Sequence, residues 1–155
     1  MKFVIVTGMS GAGKSQAVDA LEDIGFFCID NLPPQLIMKF ADLVYHSSEK
    51  MKNTALVCDI RSGDMDTIES VLNEMRENGY DYEILFLEAN DGTLVKRYKE
   101  TRRQHPLAKE GSILDGIKKE RELLAPLRRN ATHILDTSYL KSATLKESLH
   151  SLYGS

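Results

Sequence analysis

At 155 residues, 42% of them hydrophobic, the chain is long enough for one buried core, and no run approaches the roughly 20 apolar residues of a membrane helix. A formal net charge of −3 excludes any global attraction for nucleic acid, although Lys96 to Arg129 holds eleven Lys and Arg against five Asp and Glu, a local surplus suited to a polyanion. Two cysteines without a CxxC pairing or companion histidines exclude an ordinary zinc site, and no signal-peptide run precedes the first apolar segment, so a reducing cytoplasmic setting is expected.

The first predicted strand is Lys2–Thr7, read from Phe3-Val4-Ile5-Val6. Directly after it comes Gly8-Met9-Ser10-Gly11-Ala12-Gly13-Lys14-Ser15, which spells G-x-x-x-x-G-K-S, and a helix-like segment follows over 14–24. Strand, glycine-rich loop, Lys-Ser and helix in that order form a phosphate cradle. Glycines let backbone N–H groups approach a phosphate closely, Lys14 supplies a cation for the β- and γ-phosphates, and the Ser15 hydroxyl is suited to Mg²⁺. The helix N-terminus adds partial positive charge at the same place. A plain turn would need the glycines but not the Lys-Ser pair.

A second strand is expected at Phe26–Asp30, ending in an Asp30-Asn31 corner before Leu32-Pro33-Pro34. Asp30 could hold an acceptor, position a water, serve the metal, or simply tie the turn. Phe26, Phe27 and Phe86 read as core, and so do Cys28 and Cys58 in their apolar runs. After a helix near 34–46, the strand Thr54–Asp59 ends in Asp59, the pattern of a magnesium-associated carboxylate. The next helix, 65–78, places Met65, Ile68, Val71, Leu72 and Met75 on one face and closes at Asn78-Gly79.

The strand Tyr82–Glu88 leads to a helix over 92–103 capped by Asn90 or Asp91. Arg97, Arg102 and Arg103 on this stretch are candidate cations for the oxygens of a transferring phosphoryl group. The bland reading is a solvated helix face; Arg102 and Arg103 fall on adjacent faces, so no more than one of them is expected to point inward. Residues 102–112 form a lid-like segment broken by Pro106 and Gly111, with His105 an ordinary loop histidine or a base. A helix over 113–128 carries Arg121 and Arg128, with Arg129 beside it, all three with weaker claims. A strand at Thr132–Asp136 and a helix at 142–151 complete the pattern.

This alternation predicts an α/β chain, a three-layer P-loop NTPase- or kinase-like domain with a parallel sheet of about five strands. Ligands of such sheets sit beyond the carboxyl ends of the strands, where Asp30, Asp59, Glu88 and Asp136 fall.

The chain resembles the N-terminal P-loop domain of the RapZ/YvcJ family of bacterial nucleotide-binding proteins, one branch of which is the RNase adapter protein. Beyond Gly8–Ser15, the resemblance rests on Gly25-Phe26-Phe27-Cys28-Ile29-Asp30-Asn31-Leu32-Pro33, on Phe86-Leu87-Glu88-Ala89, and on Thr101-Arg102-Arg103-Gln104-His105-Pro106-Leu107. It continues through Glu120-Arg121-Glu122-Leu123-Leu124-Ala125-Pro126-Leu127-Arg128 and Ile134-Leu135-Asp136-Thr137-Ser138. What it implies is ATP and GTP binding with weak Mg²⁺-dependent hydrolysis. A tetrapeptide assigned to GTP in that family corresponds to Asp59-Ile60-Arg61-Ser62, with Ser62 where the family pattern has Asn; Asp59 thus stands in both the metal and the GTP readings. The resemblance also implies a C-terminal domain beyond residue 155, the expected seat of small-RNA or protein partners, and leaves an oligomer open. The leading function is a regulatory nucleotide-binding protein. The alternatives are a small-molecule kinase and, less strongly, an RNA-binding module built on residues 96–129.

Overall fold

β1 (Phe3–Gly8) and β3 (Thr54–Val57) are buried along their whole length, as continuous apolar runs require when helices cover both faces of a sheet. A computed structural model describes residues 2–47, 53–101 and 112–154. The other elements are α1 (Lys14–Ile24), β2 (Phe27–Ile29), a 3₁₀ turn (Pro34–Leu36), α2 (Ile37–Tyr45), α3 (Met65–Glu77) and β4 (Glu83–Glu88). They are followed by α4 (Asp91–Thr101), α5 (Ile113–Arg129), β5 (His133–Asp136) and α6 (Ser142–Tyr153).

The five strands are all parallel and lie in the order β2-β3-β1-β4-β5. The chain winds from β1 outward to β2 and then back across β1 to β4 and β5. Right-handed crossovers therefore place α1, packed on α6, on one face and the helices from α2 to α5 on the other. The winding reverses between β1 and β3, so the crevice beyond their carboxyl ends is the switch point of the sheet. Among the described residues no helix is long and apolar enough to cross a membrane.

Local chemistry explains most boundaries. Ile68, Val71, Leu72 and Met75 are the buried stripe of α3, and the Gly79 N–H closes that helix on the Arg76 carbonyl at φ 74°. Asn90 caps α4 through its Oδ1, which accepts the Thr93 N–H at 2.8 Å. The edge strands depart from expectation. Phe27 was expected in the core but is 53% exposed, because β2 is an edge strand and Phe26, just before it, takes the inward position. Cys28 is only half-buried for the same reason, whereas Cys58 is fully buried. Burial and the nearby Asp59 push the Cys58 thiol up to about 12, so it is protonated at neutral pH. β2 and β3 also end sooner than the apolar runs suggest, leaving Asp30 and Asp59 in the loops just past the sheet.

Candidate functional site

β1 delivers its last residue, Gly8, against β4. A Cβ there would lie 2.1 Å from the Leu87 carbonyl oxygen, so only glycine permits the approach. The Met9 N–H then donates to that same carbonyl at 2.9 Å, and the Met9 side chain is sealed in the core. The loop rises through Ser10, turns at Gly11 and Gly13 in the left-handed region (φ 83° and 101°), and enters α1 at Lys14. Among the described residues no side chain caps α1, and its first turn holds no acid. A helix start of this kind, with partial positive charge and no carboxylate, suits an anion.

Lys14 supplies the matching cation. Its Nζ donates to the Gly8 carbonyl at 2.9 Å and approaches the Met9 carbonyl at 3.4 Å, while Asp59 Oδ1 lies 3.7 Å away. The loop after β1 and the loop after β3 therefore meet at the switch point. Ser15 is exposed in the first turn of α1, and Asp59 is exposed beyond β3. A hydroxyl and a carboxylate are oxygen donors of the kind Mg²⁺ prefers. Ile60 is buried, whereas Arg61 and Ser62 are exposed in a turn fixed by the Arg61 N–H to Asp64 Oδ2 bond (2.9 Å). Asp30 is exposed beside Asn31, which adopts φ 57°, and the Leu32 N–H ties this corner to the Val57 carbonyl at 2.9 Å.

Two contacts hold the outer side of the loop. Arg97 on α4 donates from Nη1 to the Gly11 carbonyl (2.9 Å) and to Thr137 Oγ1 (3.1 Å), and from Nη2 to the Thr137 carbonyl (2.6 Å). Thr137, buried after β5, passes the link on by donating to the Ala12 carbonyl at 2.7 Å. Glu120 on α5 is 5% exposed, and its two oxygens accept the Ser10 N–H (2.9 Å) and the Ser10 hydroxyl (2.6 Å). Next to the Arg97–Thr137 contact lies a cavity of about 420 Å³, walled by Gly13, Gln16, Arg97, Thr137, Leu140 and Leu145 among others.

Gly8–Ser15, Asp59 and Arg97 thus converge on one edge of the sheet, with Asp30 one strand further out. Arg102, Arg103 and His105 lie outside the described residues. Two other strand-end acids are structural: Glu88 takes both Nε and Nη2 of Arg128 (2.7 and 3.1 Å), and Asp136 accepts from Ser138. Arg121 pairs with Asp91 at 2.7 Å and donates to the Ala89 carbonyl at 2.6 Å, so α5 is bound to the α4 start as well. Glu120 and Thr137 carry no role in the sequence reading. Glu120 had one legible signal: it shares its helix face with Ile117, Leu124 and Leu127, an acid on a buried apolar stripe.

The model of the RapZ-like N-terminal domain matches residues 1–155. The chain belongs to that family. Similar relatives of this RapZ-like domain include a nucleotide-binding protein of Alkaliphilus oremlandii, 56% identical over 154 residues, with 99% of this chain and 53% of the relative covered. Another, from Thermoanaerobacter sp. (strain X514), is also called a nucleotide-binding protein and is 55% identical, with 99% and 54% covered. The chain spans about half the length of the curated relatives it matches. Among solved structures, the fold is similar to shikimate kinase from Bacteroides thetaiotaomicron (TM-score 0.62, 14% identity, 97% of each chain). It is also similar to shikimate kinase from Acinetobacter baumannii in complex with shikimate (TM-score 0.65, 14% identity, 98% of this chain and 92% of that one). The RapZ-like domain therefore has the P-loop kinase-like α/β fold.

Proposed function

We propose that this domain binds ATP or GTP with Mg²⁺ at Gly8–Ser15 and hydrolyses it slowly, as the nucleotide-binding half of a cytoplasmic regulator. The observation that carries the reading is the cradle itself: an uncapped, acid-free helix start behind left-handed glycines, with the Lys14 ammonium beside it. The names of the relatives, nucleotide-binding protein, support it. Ser15 and Asp59 hold Mg²⁺, which offsets charge on the phosphate oxygens when bound. The cavity beside Arg97 and Thr137 takes the base, with Leu140 and Leu145 as its apolar wall and the Arg97 plane as its cationic one. Arg97 has backbone and threonine partners, so its role is to fix the loop and wall the base site. The cationic role over the phosphates falls to Arg102 or Arg103. Asp59–Ser62 is the segment that bears on guanine nucleotides. Partners that read the nucleotide state, protein or small RNA, bind chiefly through sequence beyond this domain.

A second reading, transfer of the γ-phosphoryl group to a metabolite, draws on one feature: Asp30 stands beyond β2 next to a left-handed Asn31 at the same edge of the sheet. Turnover of γ-labelled ATP with and without a metabolite extract separates the two. Slow release of free phosphate supports the NTPase, and label on a metabolite supports the kinase.

A further inference from the structure

We infer that the base cavity favours adenine over guanine, and that the Gln16 side chain sets the preference. The inference rests on the nucleotide-binding reading above and deepens it. Stacking on the Arg97 plane and the leucines holds either purine, because every base has a π-face, so the choice falls to groups that meet the base edge. Most acceptors of the cavity are already engaged. The Gly11 carbonyl accepts from Arg97 at 2.9 Å, the Ala12 carbonyl from Thr137 at 2.7 Å, and the Gly13 carbonyl from the Ala17 N–H at 2.9 Å. After β5, the Thr137 carbonyl accepts from Arg97 at 2.6 Å and the Lys141 carbonyl from the Leu145 N–H at 3.0 Å. What remains is the Gln16 amide on α1 and, on a different element, the Leu140 carbonyl.

Gln16 is exposed, and its amide lines the cavity with no hydrogen-bond partner among the described residues. Its Oε1 and Leu145 Cδ2 each lie 3.7 Å from the point where a Cβ on Gly13 would stand, so the amide sits over the loop beside the apolar wall. An amide sets one acceptor next to one donor group. Adenine presents the complement, its N6 amino group beside a ring acceptor. Guanine instead presents N1–H and the N2 amino group side by side, two donors that point the same way. The two oxygens of one carboxylate meet such a pair, and among the described residues no Asp or Glu lines the cavity. Gln16 takes guanine N1–H and O6 only by leaving the N2 amino group without an acceptor, which costs affinity. Lys141, exposed at the cavity, only donates, and N7 accepts in both purines. Asp59–Ser62 acts from the phosphate end instead: β3 lies on the opposite side of β1 from β4 and β5, and Asp59 meets Lys14 there.

Calorimetric Kd values for Mg-bound, non-hydrolysable ATP and GTP analogues test this on the unmodified chain, Gln16→Glu and Gln16→Ala. The unmodified chain is expected to bind the ATP analogue about tenfold more tightly than the GTP analogue. Gln16→Glu supplies the paired acceptors that guanine needs. Its new charge weakens both analogues alike, so the ratio of the two Kd values is the readout, and it is expected to move toward GTP by about tenfold. Gln16→Ala is expected to bring that ratio close to one. Gln16 is exposed, so both variants are expected to keep the fold, which circular dichroism checks; should one not fold, the other decides. Equal affinity or a GTP preference in the unmodified chain overturns the inference, and so does a ratio that the folded variants leave unchanged. Binding of neither analogue by the unmodified chain defeats the nucleotide reading and the inference together; binding with a ratio that ignores residue 16 defeats only the inference.

Discussion

Arg97 and Thr137, 40 residues apart, are joined twice: the guanidinium donates to the threonine Oγ1 at 3.1 Å and to its carbonyl at 2.6 Å. Through that pair, α4 and the loop after β5 grip two successive carbonyls of the phosphate loop, Gly11 and Ala12. The glycine-rich loop is thus held in shape from outside through its carbonyls.

Thr137→Val removes the hydroxyl and leaves the Ala12 carbonyl and one Arg97 donor without their buried partner. The expected loss is about 1–3 kcal/mol of stability, read as a lower midpoint in urea with an unchanged slope. Nucleotide affinity should fall as well, since the loop loses its brace. A midpoint equal to that of the unmodified chain would show that the link carries no energy.

Thr7 makes the opposite case. Its side chain is 1% exposed, and among the described residues its Oγ1 has no hydrogen-bond partner. Thr7→Val keeps the shape and removes the unsatisfied hydroxyl, so stability should rise by about 1 kcal/mol. Thermal unfolding checks the sign, and a lower Tm would mean that the hydroxyl serves a group the fold requires.

Ser138 holds the Asp136 carboxyl below the usual aspartate range through its hydroxyl and backbone N–H. A carboxyl lowered on folding adds stability that is present above its unfolded value and disappears as pH falls through the folded one. Ser138→Ala should therefore lower stability at pH 7, with the gap to the unmodified chain narrowing below about pH 4. A gap that stays constant from pH 7 to pH 3 would assign the loss to something other than this carboxylate.

The parts of the molecule that were legible in sequence are those with local cause. Continuous apolar runs gave the central strands, the 3–4 spacing of Ile68, Val71, Leu72 and Met75 gave α3, and a strand-loop-helix order placed the cradle. Phe27 was misplaced because an apolar run does not say which strand ends at an edge. The braces of the site were invisible for a different reason: Ser10 meets Glu120 across 110 residues and Ala12 meets Thr137 across 125. Such pairs depend on strand order, which no local spacing encodes. Asp59 was legible as a strand-end acid, but its approach to Lys14 also required β3 to lie next to β1.

Calorimetry with Mg-ATP and Mg-GTP on the unmodified chain and on Lys14→Ala tests the central claim most directly. The expected result is saturable binding of at least one nucleotide that Lys14→Ala abolishes or weakens by more than tenfold, with the variant still folded by circular dichroism. No heat from either nucleotide, or equal affinity in the folded Lys14→Ala chain, would contradict a phosphate cradle at Gly8–Ser15.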